Sequence, residues 1–390
     1  MNRNYDVLII GAGAAGLFCA GSAIARGLRV LVLEHGPEPG RKILISGGGR
    51  CNFTNKEVSA KNFVSQNPHF CKSALAGFTP QDFLALVEQA GIGWHEKTLG
   101  QLFCDGSARQ ILDLLLARQG RADLRCGVDV TSVTHTGTFD VETSHGPFKA
   151  NNLVVATGGL SIPKIGASDF AYRLARQFGH SLVTPRPALV PLVFAPDQAA
   201  WMQNLAGVSA SVVASRGKTH FKENLLFTHR GLSGPAILQI SSYLAAGQPF
   251  NVDFAPGIGL ADELIAAKRA HPKAGLKTAL SGRLPSRLAA YFAEKHVGNL
   301  ADLPDKTLRT LGEGLNHHVF TPTGTEGFAK AEVTAGGVET AELNSRDCGS
   351  RLQPGLFFIG EAVDVTGWLG GYNFQWAWAS GHAAAKGLLN

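Results

Sequence analysis

Tyr5-Asp-Val-Leu-Ile-Ile-Gly-Ala-Gly-Ala-Ala-Gly-Leu-Phe-Cys-Ala20 is the stretch whose reading decides the fold. The β-prone run Val7 to Ile10 breaks into Gly11-x-Gly13-x-x-Gly16, and an Ala-rich helical pattern continues through Ala25. Strand, glycines, then helix is the context that a dinucleotide fingerprint requires. Gly11 permits the tight turn, Gly13 lets backbone approach a pyrophosphate, and Gly16 lets helix and strand pack closely. Ala14 and Ala15 lie where the helix opens, and its free N–H groups and dipole favour an anion there. A second strand, Leu28 to Leu33, ends in Glu34, about twenty residues past the glycines, where a carboxylate takes the ribose hydroxyls of an adenosine. His35, the next residue, is a further candidate contact to the cofactor. A dinucleotide-binding domain is the expectation.

Composition sets outer limits. A length of 390 residues leaves room for two or three domains and a substantial core. With 45% hydrophobic and 17% charged residues the chain reads as globular, and no apolar run reaches the roughly 18 residues of a membrane span. The first strand starts too early for a signal peptide to precede it. Six cysteines are scattered without CxxC spacing, which argues against zinc, an iron–sulfur cluster or a disulfide framework and for a reducing cytoplasm, and no metal is expected. A formal charge of +6 mildly favours a polyanionic partner.

Pro39-Gly-Arg41-Lys42-Ile-Leu-Ile-Ser46-Gly47-Gly48-Gly49-Arg50-Cys51-Asn52 comes next. Consecutive glycines flanked by cations suit a flexible loop wrapped around phosphates and a ring system. Thr79-Pro-Gln-Asp82 reads as a capped helix start, and Ser107 as a second cap. Between the two helices, residues 94–107 lack periodicity and hold His95 and Cys104 as substrate-side candidates. Paired strands over 124–141 bring Cys126 to Val130 against an adenine ring. The strand at Asn152 runs into Thr157, Gly158 and Gly159, which belong to the carboxyl edge of the same sheet. Three prolines in 185–191 mark a boundary, and alternating short strands over 189–254 predict an antiparallel sheet or small barrel. Within it, Thr228, His229, Arg230 and Ser233 look too polar for a hairpin serving packing alone. Residues 259–316 have helical periodicity, with nine Lys/Arg against six Asp/Glu. The last strand ends in Gly360-Glu361 with Asp364 beyond, and Gly370-Gly371-Tyr372-Asn373 opens the final helix.

A fingerprint plus two further glycine loops at strand ends is the arrangement of FAD proteins with a glutathione-reductase-like Rossmann domain. There is no second fingerprint, so NAD(P)H would act as a transient reductant over the flavin, without a domain of its own. The motifs GAGAAG (11–16), PGRKILISGGGRCNFTN (39–55), ATGGLSIPKIGAS (156–168), NLLFTHRGLSGPAILQIS (224–241), AEVTAGGV (331–338) and FIGEAVDVTGWLGGYNFQWAWASG (358–381) resemble the BaiN/RdsA-type flavoproteins over essentially the whole chain. The resemblance implies an α/β build in three parts: an FAD domain (1–188 and 335–390), an inserted β-barrel-like domain (189–256 and 317–334) and a small inserted helical domain (257–316). It implies flavin contacts from the fingerprint, Glu34, Arg41, Lys42, Gly47 to Asn52, Gly158, Asp364 and Gly370 to Asn373. SQNPHFCKSALAGF (65–78) and HEKTLGQLFCDGSA (95–108) are similar to the ribosomal-RNA dihydrouridine synthase branch. The expectation is an enzyme that reduces uridine to dihydrouridine in 23S rRNA with hydride from reduced FAD. Cys104 or His95 would donate the proton, and His229 and Arg230 would grip a carbonyl or phosphate. The alternatives are a small-molecule ene-reductase with an enone substrate and a non-catalytic, FAD-containing ribosome-binding factor.

Overall fold

The computed structural model describes residues 4–388 of the chain. Two compact units emerge, one of Met1–Pro187 with Glu332–Asn390 and one of Ala188–Ala331.

The first unit is built on parallel strands that read as unbroken apolar runs because both faces are covered. Strand β1 (Asn4–Ile10) lies between β2 (Val30–Glu34) and the strand Phe148–Val155, parallel to both. Helix α1 (Ala14–Ala25) makes the crossover from β1 to β2. Asp123–Cys126 extends the sheet beyond β2, and Leu356–Phe358 joins it on the far side of Phe148–Val155. Only Asp123–Cys126 of the expected paired strands is parallel; Val130–His135 and Phe139–Thr143 form an antiparallel meander into Phe148–Val155. Thr79 caps the helix Pro80–Gln89 in a box with Asp82, as its sequence predicts. The last helix, Tyr372–Gly387, packs on α1 so closely that a Cβ on Gly381 would stand 2.7 Å from the Ala15 carbonyl oxygen. Its Trp378 stacks on Phe83 at 4.5 Å, within the range where aromatic pairs add to burial.

The proline-rich boundary is no loose linker. Leu182–Ala188 is a strand paired with Val333–Val338 in a two-stranded ladder, where prolines lacking an N–H are tolerated.

The second unit holds one seven-stranded antiparallel path in the order 318–320, 250–253, 209–216, 219–227, 231–233, 192–193, 324–325. Period-two burial explains it: Ala210, Val212 and Ala214 face inward while Ser209 and Ser211 are exposed. Two helices, Pro196–Gln203 and Pro235–Ser241, interrupt a region expected to hold strands. The helices of 260–316 share this unit. Asn316 ties them to the sheet by donating to Asp253 at 2.8 Å and accepting from the Leu260 N–H at 2.9 Å.

Candidate functional site

At the carboxyl end of β1 the three fingerprint glycines have different reasons to be glycine. Gly11 has φ of +107°, and a Cβ there would approach the Ala156 carbonyl oxygen to 2.5 Å. A Cβ on Gly16 would overlap the Gly11 carbonyl oxygen at 1.9 Å. Gly13 meets nothing within 4 Å, and as N-cap of α1 it brings no capping side chain. An uncapped helix end thus faces open space. Glu34 closes the turn beside it, accepting the Ala12 N–H at 2.8 Å and the Gly36 N–H at 2.7 Å. His35 is half-exposed, 3.6 Å from Asp129, and Val130 is part-buried at the start of its strand.

The second glycine stretch is not a flexible loop. Gly40 donates to Ala12 at 2.8 Å, helix α2 (Arg41–Ile45) follows, and Ser46–Gly49 forms a further tight turn before β3 (Asn52–Asn55). Gly47, Gly48 and Gly49 all take positive φ, and at Gly48 and Gly49 a side chain would enter empty space. Arg50 is exposed, whereas Cys51 is enclosed and takes a φ of +49°. The Asn52 amide turns inward: its oxygen accepts the Gly371 N–H at 3.1 Å and its nitrogen donates to Thr54 and Leu102.

Two more loops reach the same edge. After Phe148–Val155, Thr157 carries a buried hydroxyl with no partner, and Gly158 opens onto free space with φ of +74°. Gly360 is clamped by Ser380 and Trp376, which bond its N–H and its carbonyl oxygen. Asp364 does not reach open space. It is 3% exposed and accepts from the Gln66 N–H at 2.8 Å, and burial pushes its carboxyl above the usual range. Asn373 likewise turns inward, bonding Gly367 through both ends of its amide. Tyr372 is buried against Phe63. Gly370 and Gly371 take φ of +115° and +93°, and the backbone of Gly371 lies against Thr54.

Lys42 and Glu361 form an ion pair at 2.6 Å that also engages Ser161 and Thr334. Ser161 and Thr334 lie inside the glycine motifs at 156–168 and 331–338, and neither stands out from the sequence alone. Their signal was a hydroxyl in each of two glycine motifs.

On the substrate side, Trp94–Glu96 and Gln101–Cys104 pair as a hairpin. His95 stacks near Phe103 and holds Asp105 through Nδ1 at 2.7 Å, with 40% of its side chain exposed. Cys104 is fully enclosed, and burial pushes its thiol up to about 12. Cys104, expected on the substrate side, is thus enclosed by protein side chains rather than open at the surface. His229 and Arg230 belong to the second unit, on an exposed turn closed by Thr228, whose hydroxyl accepts the N–H groups of Arg230 and Gly231. Turn chemistry therefore accounts for Thr228. Among the described residues no group of three or more His, Cys, Asp or Glu could hold a metal, and no helix is long and apolar enough to cross a membrane.

A family model described as the HI0933-like protein Rossmann domain matches residues 5–387. The chain belongs to this family. It is 49% identical to a ribosomal RNA dihydrouridine synthase of Escherichia coli (strain K12), with 99% of this chain and 98% of the relative covered. Identity is 44% to the protein of that description from Haemophilus influenzae, over 100% and 99% of the two chains. A 3-dehydro-bile acid delta(4,6)-reductase of Clostridium scindens is 32% identical over 99% of this chain and 98% of its own. Among solved structures, a quinol–fumarate reductase aligns with a TM-score of 0.52 at 15% identity, covering 99% of this chain and 71% of that one, a likeness of fold. The family member described here is an oxidoreductase of the flavoprotein class.

Proposed function

We propose that the chain is an FAD-dependent reductase that saturates the C5–C6 bond of uridine in 23S rRNA. The observation that carries this reading is the full-length identity of 49% to a ribosomal RNA dihydrouridine synthase. The residues present fit FAD. An uncapped helix end at Gly13, empty space over Gly48, Gly49 and Gly158, and the partnerless Thr157 hydroxyl make a polar cradle at one sheet edge. In this reading the α1 end and Gly13 take the pyrophosphate, Glu34 a ribose, and the loops of Gly47 to Asn52, Gly158 to Gly159, Gly360 to Glu361 and Gly370 to Gly371 the rest. When bound in this cradle, FAD would supply hydride chemistry toward an electron-poor alkene, with NAD(P)H as the transient reductant.

The protein must then deliver a proton to the neighbouring carbon. His95 is the accessible donor: Asp105 on Nδ1 fixes the ring and leaves Nε2 to carry the proton outward. Arg230 and His229 are the side chains assigned to a substrate carbonyl or phosphate. A reaction on ribosomal RNA places the enzyme in the cytoplasm.

The test is mass spectrometry of rRNA from a strain lacking the gene. Loss of a dihydrouridine that the intact gene restores is the expected result; full retention refutes the assignment. The second reading, a small-molecule ene-reductase, is favoured by the bile-acid reductase relative. Turnover of a defined enone with no change in rRNA supports it.

A further inference from the structure

Four segments of the first unit meet at one ion pair. Lys42, on α2, sets its ammonium 2.6 Å from Glu361 Oε2 and 2.7 Å from Ser161 Oγ. The other carboxylate oxygen accepts the Ser161 hydroxyl at 2.8 Å and the Thr334 N–H at 2.9 Å. Thr334 Oγ1 in turn accepts the N–H groups of Leu160 and Ser161 at 2.8 and 3.1 Å. Three donors therefore surround Glu361, one of them charged, which is the stronger class of hydrogen bond. Tyr172, 3% exposed and with a partnerless hydroxyl, lies close enough to feel the same carboxylate, and Glu332 feels Lys42.

The pair has an orientation. Lys42 keeps 37% of its side chain open and Glu361 only 18%. An ammonium has three donors, and the two bonds named leave one unused. The negative end is thus tied behind Ser161 and Thr334, and the positive end is the more open one. The glycine loops adjoin this pair: a Cβ on Gly159 would stand 2.9 Å from Glu361 Oε1, and Gly40, just before α2, donates to Ala12 of the fingerprint turn at 2.8 Å.

We propose that Lys42, oriented by Glu361 and Ser161, is the positioning charge that sets the reduction potential of the flavin these loops hold. The proposal rests on the FAD reading above and adds to it the residue that tunes electron affinity. A cation held in a partly buried site favours the more negative, reduced form of a nearby ring, because solvent screens it less than in water. Substituting the two partners separates this role from a structural one. If the pair only ties loops together, breaking it from either side loosens the cofactor alike. If its charge acts on the flavin, the two substitutions shift the potential in opposite directions.

The experiment is a dye-coupled reductive titration of the FAD-loaded full-length chain. Lys42→Met should move the midpoint potential to more negative values and slow reduction by NADH or NADPH. Glu361→Gln should move it to more positive values, and Lys42→Arg should lie nearer the wild type than Lys42→Met does. Potentials that stay put, or that shift in the same direction for both partners, overturn the proposal. Should Lys42→Met fail to retain FAD, the sign of the Glu361→Gln shift decides. A wild-type chain that takes up no FAD sinks the cofactor reading itself, an outcome distinct from a loaded chain whose potentials do not respond.

Discussion

A side chain on Gly13 would enter space that the fold leaves free, and its φ of −84° is open to any residue. Gly13→Val should therefore fold with a melting temperature near that of the wild type yet purify without FAD, which absorption spectroscopy reads directly. Yellow, fully loaded protein would remove the pyrophosphate from this turn. The proton donor is a second question at this scale. His95→Gln should slow substrate reduction by roughly 10²-fold while leaving flavin reduction by NAD(P)H intact, as expected when a positioned acid is lost. Cys104→Ala should change the rate by less than about tenfold, because a fully enclosed thiol cannot touch a substrate. Single-turnover kinetics on both variants distinguishes the two, and the reverse ranking would return the role to Cys104.

Among elements, the final helix depends on its first turn. A Cβ on Gly371 would stand 2.3 Å from the Thr54 carbonyl oxygen, at a φ of +93°. Gly371→Ala should cost about 2 kcal/mol or more, combining left-handed strain with displacement of β3 from the helix start. Gly27 has φ of +83° but nothing near its Cβ, so Gly27→Ala should carry only the strain, about 1 kcal/mol. Chemical denaturation of the pair measures the difference, and equal losses would mean that the Thr54 contact relaxes freely. His180, between the helix Phe170–Gln177 and the strand Leu182–Ala188, is enclosed with Nε2 2.7 Å from Ser350 Oγ. Burial holds its imidazole below the ordinary 6.5, with Glu342 pulling the other way. The unfolded chain takes up this proton at higher pH than the folded one does. The His180 contribution is therefore present above pH 6.5 and is lost as pH falls below 6.5 toward the depressed folded value. Denaturation midpoints should fall across that acid range, and His180→Gln should flatten the dependence.

For the whole molecule, a formal charge of +6 makes ionic strength a test of partner class. Binding to an rRNA fragment should weaken steeply with salt, since each neutralised phosphate releases counterions. Reduction of a small enone should scarcely respond. An RNA affinity flat from about 50 to 200 mM salt would argue against a phosphate-reading surface.

How much could be read in advance follows from range. The turn from β1 into α1 and the Thr79 cap were legible because the residues that define each lie close together in the chain. The triple-glycine stretch was legible as a break between elements, but its form was not. Glycine and cations suggested a flexible loop, while hydrogen bonds from Gly40 to Ala12 and from Cys51 to Ser46 fold it into helical turns. Cys104 shows another limit: a reactive residue type in a polar segment says nothing about burial, which the packing of strands and helices around it decided. By itself, the sequence determined that a strand, a glycine turn and a helix with an uncapped first turn would stand at a parallel sheet edge. Only the tertiary structure decided that Lys42 would meet Ser161 and Glu361, which lie 119 and 319 residues away, because spacing along a chain carries no signal for contacts made across a sheet edge.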